Sequence, residues 1–163
     1  MTGVRRGARS VLKWFSALYV VLILVQVFLA GEGVFRLRTV YDSDTCKTTT
    51  CGGSTTLDPH RILGFVLTEP LALLFLITAL LAWHPETRVR AVSIVAPILT
   101  FVQLFLATIG RWVGGLHVLN AIAILAMYGW LAYRLRQDQH VPADAPAGAE
   151  LAPAGGAVER ARV

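Results

Sequence analysis

The stretch ILGFVLTEPLALLFLITALLAW, at residues 62–83, decides the fold of this chain. A helix of that length rises about 33 Å, and the hydrocarbon core of a bilayer is about 30 Å thick. Three similar apolar stretches occupy residues 14–31, 91–109 and 116–133. Backbone groups in lipid must be hydrogen-bonded within their own segment, so each stretch is predicted to be a helix. We therefore predict an all-α fold, a four-helix transmembrane bundle with up-down topology.

The composition agrees with a membrane domain over residues 14–136. Of the 163 residues, 55% are hydrophobic and 15% are charged, and the mean hydropathy is +0.61. Soluble domains carry about a quarter charged residues. This composition argues against a soluble enzyme, a secreted disulfide-rich miniprotein and a basic nucleic-acid-binding domain. The expected partner is the lipid bilayer and not nucleic acid, and we identify no catalytic residues.

The basic residues predict the orientation of the bundle, because short cytoplasmic loops are enriched in Lys and Arg. One side of the predicted spans holds Arg5, Arg6, Arg9, Lys13, Arg88, Arg90, Arg134 and Arg136. The other side holds Arg36, Arg38, Lys47, Arg61 and Arg111. The denser set is predicted to be cytoplasmic, which places both termini inside and loop 32–61 outside. An alternative is that the first span is a cleaved signal peptide, which leaves three spans.

The two ends of the chain differ from the membrane domain. Residues 1–13 form a basic cytoplasmic N-terminus. Residues 137–163 are rich in Ala, Pro and Gly and carry few large apolar side chains, so a disordered cytoplasmic tail is predicted. Arg outnumbers Lys and Ala is abundant, a composition typical of GC-rich bacterial genes. We therefore predict a bacterial plasma membrane protein.

Both cysteines, Cys46 and Cys51, lie in the predicted external loop in the string CKTTTC. Two cysteines so close together on the oxidising side of a membrane predict a disulfide that closes a small ring. A redox-active pair is an alternative, although the spacing is not that of thiol oxidoreductases. Zinc is a weaker alternative, since only His60 is near in sequence.

Four polar residues lie inside the predicted spans, all in the external half: Gln26, Glu69, Gln103 and Asn120. Such side chains are costly in lipid and usually face the bundle interior. Hydrogen bonds between helices, worth roughly 0.6 kcal/mol each, are the simplest explanation. Glu69 precedes Pro70, which is expected to kink the second span. An alternative role for Glu69 is a proton or cation path.

Two histidines stand at the external ends of the second and fourth spans, His60 and His117. Histidines on two helices at similar depth suit the axial ligation of a porphyrin. Gly64, four residues after His60, would let the macrocycle pack close to the helix. The leading interpretation is a membrane scaffold or accessory protein with no certain cofactor, which acts through a membrane-protein partner or as a homo-oligomer. The alternative is a b-type haem protein that transfers electrons or handles haem.

The strings HRILG at residues 60–64 and LHVLNA at residues 116–121 resemble those of uncharacterised small bacterial four-helix membrane proteins over residues 10–136. More distantly, the chain resembles one four-helix half of haem A synthase. That family has histidines on the second and fourth helices, and some members have a cysteine pair in the first external loop. Its second helix usually carries a glutamate three residues before the histidine, where this chain has Leu57. The resemblance therefore implies a haem-capable scaffold rather than synthase activity.

Overall fold

The computed structural model describes residues 2–42, 57–109 and 111–137, and these residues are helical apart from short connections. The helices are α1 (Thr2–Asp42), α2 (Asp58–Val66), α3 (Ala72–Ala82), α4 (Thr87–Thr108) and α5 (Arg111–Gln137). A π-helical turn, Leu67–Leu71, joins α2 to α3. No strand occurs in the described ranges, and the predicted all-α four-helix bundle is confirmed.

Four helical segments are long and apolar enough to cross a membrane: Gly3–Thr39, Asp58–Ala82, Thr87–Thr108 and Gly115–Gln137. Each contains one of the four predicted apolar stretches, apart from its outermost residues. α1 has 41 residues and is about 60 Å long, well beyond the predicted span 14–31. It continues into residues 32–42, where the polar pair Glu32 and Arg36 forms an ion pair one turn apart along the helix.

The four spans form a ring in which each packs mainly on its neighbours in sequence, and α1 closes the ring against α5. Arg9 donates to the carbonyl of Ala82 at one end of the first two spans, and Gln26 contacts His60 toward the other end. These two spans therefore run antiparallel. We call the end that holds His60 and His117 the histidine end, and the opposite end, with residues 83–86, the turn end.

Three aromatic rings fill the centre of the bundle. Tyr19 of α1 and Tyr128 of α5 stack with their ring centroids 4.2 Å apart, and Phe75 of α3 meets both rings edge-on. All three side chains are fully buried. The fourth wall is α4, which presents the small buried residues Ala96 and Thr100 there. The aromatic core thus ties all four spans together below the histidine end.

Pro70 changes the local geometry of the second span. Proline lacks a backbone N–H and clashes with the carbonyl four residues earlier, so a regular helix cannot pass through it unchanged. The chain widens into the π-helical turn, which is the local form of the kink expected from the sequence. The carbonyl of Leu67 in this turn accepts a hydrogen bond from Tyr19 Oη at 3.0 Å. The distortion is thereby coupled to the aromatic core.

The turn end is closed by polar contacts. Trp83 ends α3 in the left-handed conformation, with φ of 33°. His84 is buried, and its Nδ1 accepts the backbone N–H of Glu86 at 3.2 Å. The Glu86 carboxylate pairs with Arg134 of α5 at 2.9 Å. His84, to which the sequence assigned no role, has a structural one in this turn.

Candidate functional site

Gln26 and His60 form a reciprocal contact between α1 and α2, which we call the first Gln–His pair. The side-chain Nε2 of Gln26 donates to the backbone carbonyl of His60 at 2.7 Å. In return, Nδ1 of His60 lies 3.1 Å from the backbone carbonyl of Gln26. Because a carbonyl oxygen can only accept, Nδ1 of His60 is the donor in this contact. In the neutral form of the ring this tautomer has its lone pair on Nε2.

Gln103 and His117 repeat the arrangement between α4 and α5, as the second Gln–His pair. Nε2 of Gln103 donates to the carbonyl of His117 at 2.9 Å, and Nδ1 of His117 lies 3.2 Å from the carbonyl of Gln103. The same four atom types take part in both pairs. Each pair joins two consecutive, antiparallel spans.

An internal sequence repeat underlies the two pairs. The string VQVFLAGEG at residues 25–33 matches VQLFLATIG at residues 102–110 in six of nine positions, including the glutamine. Seven residues after each histidine stands a buried apolar side chain, Leu67 or Ile124. The first two spans thus correspond to the last two. All four residues of the pairs were predicted from the sequence as polar residues of the spans or candidate ligands, but the repeat was not, although the first and third spans carry it.

The repeat is broken at the third position after the histidine. In the second pair this position is Asn120, whose Nδ2 donates to Oε1 of Gln103 at 2.6 Å and to the carbonyl of Leu99 at 3.0 Å. In the first pair the position is Leu63, which has no polar side-chain atom. Oε1 of Gln26 is buried and has no hydrogen-bond partner among the described residues.

Gly64 allows α1 and α2 to approach each other at the first pair. A Cβ built on Gly64 would lie 2.8 Å from Nε2 of Gln26, closer than such atoms pack. The space beside this glycine, predicted to accommodate a macrocycle, is thus filled on that side by the Gln26 amide. The equivalent position in the second repeat is Ala121, which carries a Cβ.

The four polar residues of the spans do not form one cluster. Gln103 and Asn120 are hydrogen-bonded to each other, while Gln26 pairs with His60 on other helices. Glu69 lies half-buried in the π-helical turn, and its side chain makes no hydrogen bond with another described residue. Their similar depth, read from the sequence, did not reveal which of them contact each other.

The Nε2 atoms of both histidines are unused polar atoms of the site, as is Oε1 of Gln26. Neither makes a hydrogen bond with a residue in the described ranges, and both side chains are half-buried. Histidines that bind metals generally donate the other ring N–H to a carbonyl or carboxylate, which orients the ring. His60 and His117 have this arrangement.

Other kinds of site find less support in the described part of the chain. No group of three or more His, Cys, Asp and Glu side chains there could hold a metal ion. Cys46 and Cys51 lie outside the described residues, so the predicted disulfide remains a prediction. A shallow surface depression lined by Val4, Arg5 and Trp83 is at the turn end, away from both Gln–His pairs.

The fold therefore defines a class: a bundle of four helices long and apolar enough to be a multi-pass membrane protein, with an internally repeated Gln–His pair. Comparison with protein-family models, curated proteins and solved structures finds no match to the chain.

Proposed function

We propose that this protein is a multi-pass membrane protein that binds b-type haem through His60 and His117. The observation that carries the proposal is that the two imidazoles make the same hydrogen bond. In each, a backbone carbonyl of the preceding span accepts a hydrogen bond from Nδ1, which leaves the Nε2 lone pair of the neutral ring available to a metal ion. Two unrelated surface histidines would have no reason to share this arrangement at equivalent positions of a repeat.

Two features of the surroundings of the histidines support the proposal. His60 belongs to the second span and His117 to the fourth, which are not neighbours in the ring of helices. The histidine end is also packed less tightly than the turn end. α2 contains no buried residue, whereas α3 contains five. A flat ligand held between opposite helices would draw one histidine from each of them, and the looser packing of α2 favours its entry at this end.

Bound haem would supply a one-electron carrier, and two histidine ligands are typical of electron transfer or haem handling rather than oxygen activation. The contribution of the chain is to orient the ligands and to close the bundle beneath them. The backbone carbonyls of Gln26 and Gln103 orient the two imidazole rings through hydrogen bonds with Nδ1. The stacked Tyr19 and Tyr128 fill the interior below them.

The proposed orientation places the histidine end on the outside of a bacterial plasma membrane and both termini in the cytoplasm. Its support is the distribution of Lys and Arg along the sequence. In this orientation Cys46 and Cys51 face an oxidising compartment, where a disulfide between them would be stable.

A second candidate function is that of a scaffold or accessory protein without a cofactor. The observation that favours it is that the Gln–His pairs satisfy most of their own hydrogen bonds. Such contacts between membrane helices are worth about 0.6 kcal/mol each and need no ligand to explain them. In this case the lipid-facing side chains would contact a membrane-protein partner or another copy of the chain.

The visible spectrum distinguishes the two candidates. The protein is produced with ample haem, purified in detergent and compared with His60→Ala, His117→Ala and the control His140→Ala. We expect a Soret band with sharp α and β bands on reduction, unchanged in the control and altered or lost in the other two variants. A wild-type protein without a Soret band, or a band that neither histidine variant changes, would overturn the haem proposal and favour the scaffold.

A further inference from the structure

The internal repeat allows the surroundings of the two histidines to be compared position by position. At the positions that differ, the second span orients His60 less firmly than the fourth span orients His117. Leu63 stands where the second repeat has Asn120, so Gln26 lacks the partner that Gln103 has. Gly64 stands where the second repeat has Ala121, and glycine costs helix stability through its backbone freedom.

The helices that carry the two histidines also differ in regularity, and the less regular one carries His60. Pro70, ten residues after His60, interrupts the second span with the π-helical turn. The residue ten positions after His117 is Met127, within the uninterrupted helix α5. His60 therefore lies on the nine-residue segment α2 that precedes the π-helical turn, whereas His117 lies on an uninterrupted α-helix of 27 residues.

The second pair is part of a continuous chain of hydrogen bonds. Nδ2 of Asn120 donates to the Leu99 carbonyl and to Oε1 of Gln103. Nε2 of Gln103 in turn donates to the carbonyl of His117. Each side-chain amide has its orientation determined by a neighbour. Opening this pair breaks several bonds at once, so we expect His117 to keep its position.

The first pair carries an internal penalty. While it is closed, Oε1 of Gln26 stays buried without a donor, and an unsatisfied buried acceptor costs free energy. Turning the amide over would not help, because Oε1 would then face the carbonyl of His60, which cannot donate. Movement of α2 away from α1 exposes this oxygen to a donor, so opening is favoured more here than in the second pair.

We propose, on the basis of the proposed haem function, that His117 is the permanent ligand and His60 the exchangeable one, with Asn120 and Leu63 as the positioning residues that set the difference. With haem bound, His60 would keep the lone pair of its Nε2 on leaving, and a small neutral ligand that replaced it would supply a lone pair of its own, so the exchange would need no oxidant or reductant.

Removing each histidine in turn tests whether the two contribute unequally to haem binding, which we call the inequality. In haem-loaded protein, His60→Ala is expected to retain haem with a high-spin spectrum, to bind carbon monoxide when reduced, and to regain a low-spin spectrum with added imidazole. His117→Ala is expected to lose haem during purification. Equal loss in both variants, or greater loss in His60→Ala, would overturn the inequality while leaving the haem proposal intact.

The positioning residues are tested by exchanging their side chains. Leu63→Asn supplies the missing amide and is expected to slow carbon monoxide binding to the reduced protein by about tenfold, the scale on which groups that orient metal ligands act. Asn120→Leu is expected to weaken retention of haem by a similar factor. The control is Leu119→Asn, which adds an amide at the exposed neighbouring position. No change with Leu63→Asn, or the same change with the control, would contradict the assignment.

A measurement on haem-free protein separates this inference from the haem proposal. We expect backbone amides at residues 60–67 to exchange hydrogen at least about tenfold faster than those at residues 117–124, since exchange reports local opening. Leu63→Asn should reduce the difference. Equal exchange in the two segments would overturn the inequality, whatever the spectrum shows about haem.

Discussion

The side-chain amide of Asn120 lies 2.6 Å from Oε1 of Gln103, a hydrogen bond that joins α5 to α4 within one turn of His117. The same Nδ2 also reaches the carbonyl of Leu99 on α4. Asn120 thus satisfies Oε1 of Gln103, the amide oxygen that the second Gln–His pair itself leaves open. The first pair has no such residue, and this is the main difference between two otherwise matching halves.

We expect Asn120→Leu to destabilise the protein by about 1–3 kcal/mol, because it leaves the half-buried Gln103 without a donor to its Oε1. Thermal unfolding in detergent, followed by circular dichroism, measures the loss. Leu119→Ala, at an exposed position beside it, is the control and should change stability by less than about 1 kcal/mol. A midpoint for Asn120→Leu equal to that of the control would show that the amide contributes nothing to stability.

Gly64→Ala is expected to weaken the contact between α1 and α2. The new Cβ meets Nε2 of Gln26 at 2.8 Å, and the flexible side chain can move aside only by losing its hydrogen bond to His60. The expected loss is about 1 kcal/mol relative to an alanine that meets no neighbour, the usual net worth of a hydrogen bond.

The matched control for that change is Gly129→Ala. Gly129 lies within α5, and a Cβ there has no neighbour within 4 Å. The control should stabilise the protein by about 0.5–1 kcal/mol through helix propensity alone. If both alanines shift the midpoint of unfolding equally upward, the close approach at Gly64 does not constrain the bundle.

The two central tyrosines are expected to respond differently to loss of their hydroxyl groups. Tyr19 Oη donates to the Leu67 carbonyl at 3.0 Å, whereas Tyr128 Oη has a longer contact, 3.4 Å, with Thr100. Tyr19→Phe should therefore cost about 1 kcal/mol, and Tyr128→Phe less, while both keep the stacked rings. Unfolding in detergent with each variant in parallel provides the comparison, and a larger loss for Tyr128→Phe would contradict it.

The four spans could be predicted because the property read from the sequence, sustained hydrophobicity, is the one that lipid requires. The helix ends could not, since hydropathy marks the contact with lipid rather than the end of the helix. Glu32 and Arg36 illustrate this, as they continue α1 through an ion pair after the apolar residues end. Pro70 signalled a break, but its form as a π-helical turn depends on packing with Tyr19.

The residues of the candidate site were predictable and their pairing was not. Counting residues along a helix gives depth in the membrane but not the face on which a side chain lies. Glu69 and Gln103 were therefore grouped together, although only Gln103 joins a Gln–His pair. The repeated string around Gln26 and Gln103 carries the missing information, because equivalent residues of a repeat occupy equivalent faces.

Leu63→Asn is expected to supply the donor that Gln26 lacks. In the second repeat, Asn120 also bonds to the carbonyl of Leu99, and the equivalent of Leu99 in the first repeat is Leu22. We therefore expect an asparagine at position 63 to have two equivalent acceptors on α1, Oε1 of Gln26 and the carbonyl of Leu22. Its cost is the apolar contact of Leu63 with the core.

Leu63→Ala loses the same contact without adding an amide, so it isolates the hydrogen bond. We expect Leu63→Asn to be more stable than Leu63→Ala by about 1 kcal/mol, the net value of satisfying a buried acceptor. In a Gln26→Leu background, which removes that acceptor, the advantage should disappear. If asparagine and alanine are equally stable in the wild-type background, or if the advantage persists without Gln26, the unpartnered oxygen is not what distinguishes the two halves.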